Sequence, residues 1–94
     1  MLYTFYCADK VGGLEIRLSN RPGHLAYLEG LGARLITAGP LMSDDGQTPV
    51  GSLLVIECAD RADAEAVAAA DPYAKAGLFE TVAIRPWRQV FPKA

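Results

Sequence analysis

Residues Leu2 to Ala8 are rich in aromatic and aliphatic side chains and read as a first strand. Tyr3, Phe5 and Cys7 occupy one phase of its alternation, and Leu2, Thr4 and Tyr6 the other. Asp9-Lys10-Val11-Gly12-Gly13 breaks this run, and the period then turns helical. From Leu14 to Leu31, Leu14, Leu18, Leu25 and Leu28 fall on one stripe at about 100° per residue. Pro22 interrupts the stripe, because its ring clashes with the carbonyl of Leu18, and predicts a kink or a fresh start near Asn20 or Arg21. Gly32 suits a left-handed helix end. Arg34 to Ala38 reads as a second strand stopped by Gly39-Pro40, and Ser43 to Pro49 as a hairpin loop. Ser52 to Cys58 is a third strand. Asp60 then caps a helix over Arg61 to Ala70, with Asp63 in its first turn and Ala62, Ala66, Ala69 and Ala70 sharing a face. Asp71-Pro72 ends that helix, Thr81 to Trp87 is a fourth strand, and Arg88 to Ala94 is a tail.

The order β-α-β-β-α-β, with right-handed crossovers, predicts an α+β, ferredoxin-like fold. Both helices lie on one face of an antiparallel sheet in strand order 4-1-3-2. Strands one and three carry apolar residues in both phases, Leu53 and Val55 alternating with Leu54 and Ile56. A strand that is apolar on both sides is covered on both sides. One short chain cannot cover the second face, so a homodimer pairing two such sheets is expected.

Composition narrows the classes. The chain has 94 residues, and charged residues make up 21%. That fits a single domain over 1–94, burying roughly 64% of the unfolded chain's surface. Nine basic against eleven acidic side chains, with no basic block, give no grip on nucleic acid. No apolar run approaches the roughly 20 residues of a membrane span, and the N-terminus lacks the basic region of a signal peptide. Cys7 and Cys58 are too few and too far apart for a disulfide scaffold or a zinc site, and read as buried thiols in a reducing cytoplasm. In strand order 4-1-3-2 they are expected to end neighbouring parallel strands. No phosphate loop or dinucleotide fingerprint is present, no cofactor or metal is expected, and Ser19 and Ser43 lack a nucleophile-elbow context.

His24 is the only histidine. It lies about 40° from Leu28 and about 100° from Leu25, half-buried at the edge of the stripe. There it can exchange protons at a cleft, or it can be a boundary histidine satisfied by water or a carbonyl. Arg17 and Arg21 lie within about 60° of it, positioned to bind an anion or to form a solvated helix edge. Asp71 follows an alanine run. It can orient an imidazole, or cap a short turn through Gly77 with Pro72 in first position, and the two roles are compatible. Gly39, Pro40 and Gly51 admit close backbone approach or shape turns. A first helix that starts well before Pro22 places His24 mid-helix, opening into a pocket near Asp71-Pro72-Tyr73.

The stretch Leu14-Glu15-Ile16-Arg17-Leu18-Ser19-Asn20-Arg21-Pro22-Gly23-His24-Leu25 resembles the first-helix motif of the YciI-like (YCII-related) proteins. Thr37-Ala38-Gly39-Pro40-Leu41, Gly51-Ser52-Leu53-Leu54, Asp71-Pro72-Tyr73, Ala76-Gly77-Leu78-Phe79-Glu80 and Ile84-Arg85-Pro86-Trp87 match further segments in the same order. Gly23 is the one departure, where alanine is expected. The resemblance implies a dimeric α+β barrel and an active site on His24 and Asp71. It also implies kinship with muconolactone isomerases, small monooxygenases and a dehydrochlorination of a hydroxylated aromatic. The function expected is a small cofactor-free lyase or isomerase acting on a cyclic or aromatic, anionic metabolite. In it His24 and Asp71 form the acid–base pair, and Arg17, Arg21, Gly39, Pro40 and Tyr73 bind substrate. The alternative is a non-catalytic small-molecule-binding or accessory dimerisation domain. An enzyme needs both side chains on one open pocket, whereas a structural pair is sealed.

Overall fold

The computed structural model describes residues 1–93, so Ala94, the end of the expected tail, lies outside the described residues. The elements are β1 (Leu2–Asp9), α1 (Leu14–Gly30), a 3-10 turn (Gly32–Arg34), β2 (Leu35–Met42), β3 (Pro49–Glu57), α2 (Arg61–Ala70), α3 (Pro72–Lys75) and β4 (Phe79–Trp87). The strands form one sheet in the order β2-β3-β1-β4, and all three pairings are antiparallel. The fold is ferredoxin-like α+β, as the element order predicts.

Register sets what each side chain meets. Tyr3, Phe5 and Cys7 stand opposite Ile56, Leu54 and Ser52. These residues are buried, and with Ile84 they form the sheet side of the core. Leu28, Ala64 and Val67 close it from the helix side. The other phase, including Tyr6 paired with Leu53 and Leu2 paired with Trp87, forms the helix-free face.

Several expectations need correction. Gly39-Pro40 does not end β2, which runs through both residues to Met42. β2 is an edge strand, where a proline lacking its N–H is tolerated because one side of the strand needs no ladder partner. α1 is one helix from Leu14 to Gly30 with Pro22 inside it, so no fresh start occurs near Asn20 or Arg21, and the helix begins well before Pro22 as expected. Leu18 and Pro22 both lie on the exposed side, where water can serve the carbonyl that proline cannot. The leucine stripe is not the buried face of α1. Leu14, Leu18 and Leu25 are exposed, and Arg17, His24 and Leu28 are buried. In α2 the inward residues are Ala64 and Val67, whereas Ala62, Ala66 and Ala69 face outward. Cys7 and Cys58 belong to the ends of antiparallel strands, hence to opposite ends of the sheet, and both thiols are free and buried. Burial, with the negative charges of Asp71 and Asp9 nearby, pushes the Cys7 thiol up to about 12. No helix among the described residues is long and apolar enough to cross a membrane.

Candidate functional site

α1 and α3 meet where Gly23 lies beside Pro72, with room for little more than a methyl group between them. α3 exists because Asp71 leaves the helical region before Pro72 and its Oδ1 accepts the Tyr73 backbone N–H at 2.9 Å. The same carboxylate faces α1. His24 Nδ1 lies 2.9 Å from Asp71 Oδ1 and 3.0 Å from Oδ2. Both roles open to Asp71 therefore coexist in one side chain.

His24 is more deeply set than its edge position predicts, with only 7% of its surface exposed. A full helix through Pro22 turns it inward, and its ring stacks on Tyr73 with centroids 3.9 Å apart and planes at 14°. Tyr73 itself is fully buried and meets the edge of Phe79. An ionised Asp71 can only accept, so Nδ1 of His24 carries the proton that bonds it, and in the neutral imidazole this leaves the lone pair on Nε2. Among the described residues no buried side-chain nitrogen or oxygen lacks a partner. Nε2 has no protein partner among the described residues, so it is the ring atom that reaches open space. That space is a cleft of about 330 Å³.

Its lining brings together His24, Arg17, Arg21, Tyr73, Gly39 and Pro40, with Leu25, Leu28, Met42, Ser52 and Leu54 among the other walls. Asp71 stands behind His24 and does not line it. Arg21 is exposed and makes no hydrogen bond or ion pair among the described residues. Arg17 differs from it. Its Nε donates to Asp9 Oδ2 at 2.7 Å, and its Nη2 donates to Asp9 Oδ1 at 2.9 Å and to Ser52 Oγ at 3.0 Å. Its guanidinium carbon lies 4.6 Å from the Tyr73 ring centre. Burial disfavours this cation, but the hydrogen bond and charge of Asp9, with help from Tyr73, outweigh that cost and hold its pKa above the usual arginine value. Burial likewise pushes the Tyr73 hydroxyl up, against the pull of the Arg17 and Arg21 charges. Tyr73 stays a neutral phenol at neutral pH.

The sequence pattern did not mark Asp9 or Ser52. Asp9 reads as a strand breaker, although a carboxylate closing an apolar strand eight residues before an arginine was a usable signal. Ser52 lies in the family-matching segment Gly51-Ser52-Leu53-Leu54 but reads there only as the start of a strand, and it owes its place at the site to β3.

The YCII-related domain model matches residues 1–88. The chain belongs to the YCII-related family. Its YCII-related kin include Protein YciI of Escherichia coli, 44% identical over 97% of this chain and 100% of that protein. A Haemophilus influenzae protein is 37% identical over the same shares. Among solved structures the chain resembles the 5-chloro-2-hydroxyhydroquinone dehydrochlorinase TftG of Burkholderia phenoliruptrix, in complex with 2,5-dihydroxybenzoquinone. That match has a TM-score of 0.86 and 34% identity, covering 94% of each chain.

Proposed function

We propose that this protein is a small lyase-type enzyme in which His24 moves a proton to and from a hydroxylated six-membered ring held in the cleft. The observation that carries this reading is the buried His24–Asp71 pair with Nε2 facing the cleft. A neutral imidazole with Nδ1–H fixed on a carboxylate is a base at Nε2, and the same carboxylate stabilises the imidazolium that forms. The walls are mainly apolar, which suits a ring, and Tyr73 backs His24. Arg21 at the rim offers the one unneutralised charge for an anionic substituent. Arg17, its charge already matched by Asp9, serves the shape of the site.

TftG acts on a chlorinated hydroxyhydroquinone and binds a hydroxyquinone, which places its chemistry in the class proposed here. For such a substrate in its keto form, Nε2 takes a hydroxyl proton and the released electron pair moves through the ring. Chloride then departs with the carbon–chlorine bond pair. The imidazolium returns its proton to water, and no electron acceptor is consumed.

The test is chloride release and absorbance change with 5-chloro-2-hydroxyhydroquinone and with small lactones, using His24→Ala as the control. A general base contributes about 10²–10⁴-fold, so the variant should lose that much kcat/KM on the substrate turned over. Equal turnover by His24→Ala would exclude this role.

We also propose a homodimer through the helix-free sheet face. Tyr6 is 55%, Leu53 41% and Trp87 40% exposed there, and the half-buried Leu2 continues the same apolar surface.

A further inference from the structure

We infer that Ser52 is a substrate-binding donor whose hydroxyl, polarised by Arg17, bonds a carbonyl or oxyanion of the ring that His24 deprotonates; this rests on the acid–base reading of the cleft. Ser52 is 3% exposed and lines the cleft from β3. Its Oγ accepts from Arg17 Nη2 at 3.0 Å, and Arg17 is fixed by two further bonds to Asp9. A serine hydroxyl has one proton to give, and no acceptor among the described residues takes it from Ser52. Accepting from a cation strengthens that proton as a donor.

Nothing among the described residues prepares Ser52 as a nucleophile. A nucleophile needs a neighbour that removes its proton, and arginine can only donate. Position is set by the strand. Ser52 stands between Cys7 of β1 and Pro40 of β2, and its neighbour Gly51 packs so closely that a methyl group there would overlap the Cys7 carbonyl oxygen.

The cleft therefore has two polar poles of opposite character. Nε2 of His24 accepts and Ser52 donates, with Leu28, Leu54 and Pro40 among the apolar surfaces around them. A ring satisfies both poles only if it carries a hydroxyl and a carbonyl or phenolate oxygen. Hydroxyquinones and hydroxylated ring ketones meet that demand. Plain phenyl rings and simple aliphatic acids do not.

The experiment uses 2,5-dihydroxybenzoquinone as the probe, with titration calorimetry for affinity and infrared spectroscopy for the bound carbonyl band. Ser52→Ala and the near-isosteric Ser52→Cys should each weaken binding about tenfold or more. Their bound carbonyl band should move back towards that of the free quinone, while Ser52→Thr keeps both affinity and band. Thermal melts separate folding from binding, and Ser52→Cys stands in if Ser52→Ala does not fold. Folded Ser52 variants that bind within twofold of the natural protein with an unshifted band would overturn the donor, while loss of binding in His24→Gln leaves the acid–base reading standing. Absence of probe binding by the natural protein would overturn both.

Discussion

Asp9 and Arg17 bury a full ion pair, each side chain 5% exposed, beside the ring that carries His24. Removing one partner strands the other charge in the interior. Asp9→Ala should therefore lower unfolding stability by about 3–5 kcal/mol, measured by urea denaturation. A loss under about 1 kcal/mol would mean that water reaches Arg17 in the folded protein. At this scale the geometry of the candidate site was partly legible. The lone histidine, Asp71 before Pro72 and the family motifs pointed to the pair, and the pair forms. Arg17 did not read as buried, because an arginine on an amphipathic helix scores as polar whatever awaits it. Its partner Asp9 looked like punctuation at a strand end. Burial of a charge depends on its neighbours in space, which periodicity does not carry.

α1 shows the corresponding limit for an element. Its existence and its end at a turn at Gly32, where φ is +58°, follow from local chemistry, whereas its unbroken passage through Pro22 runs against the local proline signal. Its rotation does not follow from local chemistry either. The leucine stripe and the buried face are offset by roughly 60° on an ideal helix. Leu18 and Leu25 line the cleft instead of filling the core. α2 repeats the lesson, because in a run of alanines every face looks alike. Gly23 stands within α1 immediately before His24, and a methyl added there would meet Pro72 at 3.6 Å, an ordinary contact. Gly23→Ala should raise stability by about 0.5–1 kcal/mol, since glycine loses more backbone freedom than alanine on entering a helix. A drop in melting temperature would show that α1 and α3 sit closer than this contact allows.

At the scale of the molecule, element order and crossover handedness were enough for topology. The parallel placement expected for Cys7 and Cys58 fails because a hairpin between β2 and β3 and a crossover between β1 and β2 force β1 and β3 to be antiparallel. The folded chain exposes 5908 Å². Surface scaling gives about 5,300 Å² for a monomer of this mass, and the helix-free sheet face supplies uncovered apolar area. Sedimentation equilibrium should report twice the 10.1 kDa chain mass at micromolar concentration, with an interface above about 1,200 Å² in total. A monomer under those conditions would leave the face without its proposed partner.

The proton-transfer role of His24 has a direct spectroscopic test, because a chain with one histidine gives one set of imidazole nitrogen signals. Nitrogen-15 correlation spectra should show the Nδ1–H tautomer, with Nε2 unprotonated. Addition of 2,5-dihydroxybenzoquinone should shift Nε2 strongly towards the protonated or hydrogen-bonded range and leave Nδ1–H on Asp71. An Nε2–H tautomer, or an Nε2 signal indifferent to the quinone, would contradict a base at this position.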